Sequence, residues 1–591
     1  MRPPKHSWPD TAGSRNILFF AQVLSEMLSA ATFESFRVYS LDTIARLEEA
    51  LFLIADVRRG RMPQISLAPV IEELEWSFNK DSAAKSSAAD EIASLLKSVK
   101  DKKSISLDFL DAHLKLIRNL TSENYKKILE GLIISKISDS DQKIELRKLC
   151  GFYCGHIVNI GYDKRYISNL IDEFFFKNRL QRVGKLTLAR FFRKFDGKRK
   201  KFIVHAAVAH DIGIYLRGLG FHVRSMSTLT NEQAASLGSN LNHANTPQAL
   251  ETATEHFDPY GAANFVYQSL SSQRAIAYLD PRGMHCEWGE TMHVTLARAK
   301  TGTRIERSSL SVYNTATTPA RSGASLKSIS NYAKYINSSF DVASTERLIS
   351  SINTAALART SPNPENQLIS FWSAIEVLLS DPQDGPRIAH YEKLIVPCIT
   401  LRHARRQAYA IYQALLLHYR KRFRNLVATV ATDSLGGSFK TFAYAMFLRE
   451  HSEWRNELCT MLARNPLALH RVWKLNSDYK NHKNIFHAIS DHDRRVSWQI
   501  HRIYRSRNQL VHSGRMPSYL ESLILNLAEY YRSATSTIIR KATAESQKSD
   551  VDQIVHEIGI GYGIYKNHFE NQPQNQDISA KDISILFDIA A

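Results

Sequence analysis

Arg507, Asn508 and His512 stand close together in the run WQIHRIYRSRNQLVHSG, residues 498–514. An imidazole moves protons near neutral pH. A guanidinium is a permanent cation whose fork grips two oxygens of a phosphate. Together the two groups can move a proton and hold developing negative charge. On a straight helix Arg507 and His512 are five positions and about 140° apart, so they do not share a face. Asn508 and His512 do, at i and i+4, and so do Arg505 and His512, at i and i+7. Arg505 is therefore a second candidate for the phosphate contact. Gly514 is a natural helix stop, which places His512 in the last turn, where backbone irregularity would bring the groups together.

The elements that must hold this run are helical. From about 326 to 545 the chain shows long amphipathic segments, among them NQLISFWSAIEVLLS, ARRQAYAIYQALLLHYRKRF and SYLESLILNLAEYYRSATSTII. Residues from about 15 to 195 read the same way, as in LDTIARLEEALFLIADV, with Pro63 and the Ser/Ala/Asp stretch near 81–90 as punctuation. That region ends in a basic run from Arg190 to Lys201. Between about 202 and 320 the pattern changes. FIVHAAVA and FHVRSM predict strands around a short helix, HDIGIYLRGLG, closing on Gly220. RAIAYL and MHCEW predict two more strands around a turn at Asp280-Pro281-Arg282-Gly283, and TMHVTLARA and RIERSSLSVY continue the strand signal. TTPARSGAS, 317–325, marks a boundary. The expected fold is mainly α: a helical N-terminal domain over 1–200, a small α/β domain over 201–325, a helical bundle over 326–548 and a tail over 549–591. Gly559, Gly561 and Gly563 do not make a phosphate loop, because the Lys-Ser/Thr ending is missing. A final short helix, AKDISILFDIA, is expected to dock back on the body.

The 591 residues carry 77 Lys and Arg against 58 Asp and Glu, a net charge of +19, which favours polyanionic partners such as nucleic acid. Hydrophobic residues make up 44%, enough for packed cores and against a disordered chain. The five cysteines, 150, 154, 286, 398 and 459, form no disulfide framework and suit a reducing cytoplasm. No signal peptide and no membrane span is expected. Arg402, Arg405 and Arg406, followed by Arg420, Lys421 and Arg422, make a candidate RNA track, with interleaved Tyr and Phe either stacking on bases or packed in the core.

Two blocks of the C-terminal region, FWSAIEVLLSD at 371–381 and IHRIYRSRNQLVHSG at 500–514, resemble the HEPN superfamily, in particular the HEPN domains of ApeA-type bacterial anti-phage proteins. In that family Arg is followed by a polar residue, often Asn, and then by His four to six positions on. A long insertion separates the two blocks. The resemblance implies a metal-independent endoribonuclease without cofactor. The ribose 2′-OH attacks the adjacent phosphorus and leaves a 2′,3′-cyclic phosphate. His512 would be the acid/base, Arg507 the phosphate clamp and Asn508 the orienting group. Glu376 would hold the Arg, with Tyr504 as a supporting neighbour. The resemblance further implies a homodimer in which each copy gives half a cleft, and a toxin-like effector of antiviral defence by abortive infection. The RNA would be tRNA by analogy, and the trigger a phage-derived or regulatory partner. The alternative is a non-catalytic RNA-binding or dimerisation scaffold.

Other constellations carry less. Cys150, Cys154 and His156 have zinc-ligand types but no second pair. His205, His210 and Asp211 lack the further His/Asp set of a metal phosphohydrolase. His285 and Cys286 are strand neighbours pointing to opposite faces. Walker, kinase, polymerase and dinucleotide signatures are absent.

Overall fold

The computed structural model describes residues 11–29, 41–101, 106–139, 142–177, 183–237, 247–280, 282, 286–307, 323–382, 385–430, 438–545, 547–573 and 576–587. The fold is mainly α with a small central α/β segment. The described residues form two compact units, one drawn from 1–156, 175–188 and 319–591, the other from 157–174 and 189–318.

In the larger unit several helices start where a side chain can satisfy their free N–H groups. Asp42 caps Thr43–Arg58 by accepting from Ala45 N at 2.8 Å. Asp81 caps Ser82–Asp101 by accepting from Ala83 N at 2.9 Å, and the helix is interrupted at Ala88 (φ −149°, ψ 49°), within the 81–90 stretch expected to punctuate the region. The helix Pro364–Leu378 buries Phe371, Trp372 and Ile375 on one face. Ser351 of Val342–Thr360 donates to Ala374 O at 2.7 Å, and its hydroxyl lies 3.0 Å from that of Tyr531 on Leu520–Thr543. Arg347 holds Asp552 of Val551–Glu570 at 2.8 Å. Pro364–Leu378, Arg387–Thr400, Leu520–Thr543 and Val551–Glu570 pack against His482–Ser513, the motif helix.

The residues between the blocks at 371–381 and 500–514 build a further core. Phe423, Phe442, Trp454, Leu458 and Leu475 are buried together, and Ile485 and Ile489 of the motif helix and Phe587 of the last helix join them. The tail is thus helical: Val551–Glu570 runs through Gly559, Gly561 and Gly563, and Ala580–Phe587 docks by Ile583 and Phe587.

The smaller unit carries one antiparallel sheet with strand order β2-β3-β1-β4-β5, formed by β1 (Lys200–Val208), β2 (His222–Ser225), β3 (Gln248–His256), β4 (Trp288–Leu296) and β5 (Gly302–Glu306). Helices His210–Gly218 and Pro259–Ala277 connect β1 to β2 and β3 to β4, a split β-α-β connectivity with an added edge strand. The helix face of the sheet is apolar, with Phe202, Val204, Val208, Leu250 and Val294 buried against Ile212, Leu216, Ala263 and Val266.

One expected strand is absent. RAIAYL falls at the end of the helix Pro259–Ala277. Asp258 accepts from Gly261 N at 2.9 Å and Pro259 sits in the first turn, and this start signal sets a helical period that the later window continues. Of the described residues of MHCEW, Cys286 to Trp288, Trp288 begins a strand and Cys286 is buried just ahead of it. His285, and with it the expectation that His285 and Cys286 point to opposite faces of a strand, lies outside the described residues, as do Pro281 and Gly283 of the expected turn. Most of the expected boundary at 317–325 lies outside them too. No helix among the described residues is long and apolar enough to cross a membrane.

Candidate functional site

The motif helix begins at Asn481, whose side chain accepts from Asn484 N at 2.9 Å, and runs without a break for 32 residues. It ends where Gly514 takes φ +63° and donates its N–H to Leu510 O at 2.9 Å. That left-handed cap favours glycine. Because the helix stays regular to Ser513, Arg507 and His512 remain on different faces within one chain, about 140° apart. The expected irregularity near His512 does not occur.

Arg507 is held in a short chain of polar contacts. Its Nη1 donates to Asn508 Oδ1 at 3.1 Å, and its Nη2 lies 3.5 Å from Glu376 Oε2. Glu376 Oε1 in turn accepts from Trp372 Nε1 at 2.8 Å. The Trp372 ring is buried, 5.6 Å from the ring of Tyr504 and 6.1 Å from that of Tyr391. A buried indole therefore fixes a carboxylate, which faces a half-buried guanidinium. Arg507 and Glu376 are each 24% exposed, so the guanidinium is oriented yet within reach of solvent and of an anion. His512 is exposed and makes no hydrogen bond or ion pair with any described residue.

Arg505 has a different environment. It is buried, and its Nη2 lies 2.7 Å from Glu49 Oε1. Arg502, buried one turn earlier, holds Glu49 at 2.7 Å and also pairs with Glu73. Glu73 pairs with the buried Arg46 at 2.9 Å. Burial pushes the Glu49 carboxyl up, but Arg502 and Arg505 more than reverse this and hold it below the usual carboxylate range. Arg505 thus points into a buried five-residue ion network with the N-terminal helices. A free phosphate clamp has to be sought at Arg507.

The basic run of the insertion divides in two. Arg405 donates to Phe587 O at 2.6 Å and lies over the Phe439 ring at 5.6 Å. Arg406 donates to Ile399 O at 2.5 Å, and burial lowers its guanidinium to about 10. Arg402 is half-buried beside them. Arg420, Lys421 and Arg422 are exposed, but Arg420 sits at φ +42°, a kink inside the helix His403–Ala428 that breaks the run into two segments. Phe423 and Tyr412 are in the core and out of reach of a base, whereas Tyr409 is 45% exposed.

The discounted groups have structural surroundings. Cys150 and Cys154 are buried on one helix, and burial pushes the Cys150 thiol up. Among the described residues no group of three or more His, Cys, Asp or Glu is placed to hold a metal ion. His205 and His210 sit apart in role: His205 contacts Glu251 at 3.0 Å on the sheet, and His210 contacts Gln248 at 3.2 Å.

Sequence reasoning missed two features. One is the acidic partner Glu49. The other is a polar rung across the second face of the sheet, where His222, Glu251, His205, His293 and Arg304 are successive cross-strand neighbours and His205 and His293 are buried, with Ser236 of the helix Asn231–Leu237 3.1 Å from His293 Nδ1. Arg224 adds a 2.7 Å contact to Glu251. Alternation along β1 gives the signal for the second, since His205 falls on the face opposite Val204 and Ala206. No local signal identifies Glu49. Comparison with family models, curated proteins and solved structures yields no significant match to this chain.

Proposed function

We propose that this chain is a metal-independent endoribonuclease of the HEPN kind, acting in the cytoplasm as the effector of an abortive-infection defence against phage. The observation that carries the reading is the chain Trp372–Glu376–Arg507–Asn508, which presents an oriented guanidinium near the surface on the helix that ends at the exposed His512. In the reaction the 2′-OH of a ribose loses its proton to an imidazole and attacks the adjacent phosphorus. The bond from phosphorus to the 5′-oxygen breaks, and that oxygen takes a proton. Arg507 neutralises the charge growing on the phosphoryl oxygens. His512 supplies the proton-transferring group.

Arg507 and His512 diverge within one chain, so the proposed site is a cleft between two copies, with the Arg507 face of one chain meeting the His512 end of its partner. The substrate class is RNA, with tRNA as the proposed example, and the N-terminal helices that grip Arg502 and Arg505 are the proposed route for a trigger. The same divergence favours the second reading, a non-catalytic bundle that binds RNA or dimerises. Incubating RNA with wild-type and His512→Ala protein separates the two. The nuclease reading expects cleavage by the first and none by the second. Equal and intact RNA in both, in every activating condition, leaves the scaffold.

A further inference from the structure

Arg505 and Gln509 of the motif helix line a cavity of about 390 Å³, within the range of roughly 300–1,000 Å³ usual for small-ligand sites. The helix Thr43–Arg58 supplies Glu48 and Phe52 to its wall, one turn apart on one face, and the segment after Gly514 supplies Arg515 and Met516. Phe52 and Met516 stay 37% and 49% exposed beside it, an apolar surface left open to water. Glu49 is taken up by Arg502 and Arg505. Glu48 and Arg515, by contrast, make no ion pair with any described residue, although Asp42, Arg118 and His156 act on Glu48 from farther off, and the Gln509 side-chain amide makes no hydrogen bond with a described residue. The cavity therefore offers a carboxylate, a guanidinium and a primary amide with free bonding capacity, next to a flat aromatic ring. It also lies on the His512 side of the motif helix. Arg505, Gln509 and His512 form one stripe, with His512 only about 20° around the axis from Arg505.

We propose that this cavity is a base-binding subsite that takes a guanine ring of the RNA beside the bond cleaved at His512. Its role in cleavage rests on the ribonuclease reading; the binding itself does not. Guanine carries N–H donors at N1 and N2, which suit the Glu48 carboxylate, and acceptors at O6 and N7, which suit Arg515 and Gln509. Its ring stacks on Phe52. Uracil sets its single N–H between two carbonyls, which a carboxylate repels. Adenine has no carbonyl for the guanidinium, and cytosine has no second edge of acceptors.

The test is a calorimetric titration of the full-length His512→Ala protein with GMP, AMP, CMP and UMP, beside cleavage of RNA by the protein with His512 intact. GMP is expected to bind at least about tenfold more tightly than the others, and Glu48→Gln and Phe52→Ala each to weaken it by about tenfold. Both residues are at the surface, and an unchanged melting temperature confirms that the variants fold. GMP binding of this pattern without cleavage of any RNA keeps the subsite and removes the nuclease. Cleavage without base preference, with KM unmoved by Glu48→Gln, keeps the nuclease and overturns the subsite. Equal binding of all four nucleotides, no binding, or binding indifferent to both substitutions also overturns it.

Discussion

Arg505 Nη2 stands 2.7 Å from Glu49 Oε1, both side chains under 9% exposed, two residues before the half-buried Arg507. Burial makes this contact costly to break from one side. Glu49→Leu strands Arg505 and half of Arg502, and a loss of about 3–5 kcal/mol is expected. Replacing Arg502 and Arg505 by Met in the same protein leaves fewer stranded charges, so the triple variant is expected to melt above the single one. A triple variant that melts lower than Glu49→Leu refutes the network.

His512 is exposed, so His512→Ala is expected to leave the melting temperature unchanged while lowering cleavage by about 10² to 10⁴. Cleavage is expected to survive EDTA. It is expected to stop at a single 2′-deoxy position, where the nucleophile is missing, and cutting of an all-DNA strand would falsify the proposed reaction.

Glu376 faces Arg507 across a partly exposed contact, so its worth to stability is small. Glu376→Gln is expected to cost about 1 kcal/mol or less. It is expected to lower cleavage more than stability, because the Trp372 indole then holds an amide that no longer attracts the guanidinium. Cleavage equal to wild type removes Glu376 from the site.

Acid sensitivity follows from three imidazoles. His403 and His492 are buried with their rings stacked at 3.5 Å, and burial lowers both well below the ordinary value. Burial also lowers His470, to about 3. A histidine whose folded value is depressed binds its proton first in the unfolded chain. Stability is therefore full above the unfolded value of about 6.5 and falls as the pH drops below it, by up to about 1.4 kcal/mol per pH unit for each residue. Melting temperatures measured from pH 7.5 to pH 5 are expected to decline, and less steeply in His470→Phe. A flat profile contradicts this.

How much of this was legible depends on distance along the chain. The motif helix and its stop were readable because the helical period, the basic last turn and Gly514 are local signals. The split sheet was readable in β1, β2 and β4 for the same reason. RAIAYL misled because six apolar-rich residues fit a strand as well as the end of a helix; only the start signal at Asp258, well upstream, decides. The pairing of Glu376 with Arg507 was expected only through the resemblance of its two blocks, never from spacing. Arg505 looked like an alternative clamp because nothing near it in sequence reveals Glu49, and the tracts around Arg405 and Arg420 looked continuous because a kink leaves no compositional trace.

The bond between Glu49 and Arg505 joins residues 456 positions apart. Arg46 and Glu73, only 27 apart, can meet as soon as the two helices that carry them leave the ribosome. At about 5–20 residues per second, Glu49 waits on the order of 20–90 s for its partners. By then the rest of the chain before the motif has been made. The order of synthesis thus delays a fully braced motif helix until the chain has been made as far as Arg505, so a nascent chain carries the Glu49 half of the brace before it carries Arg507 and His512.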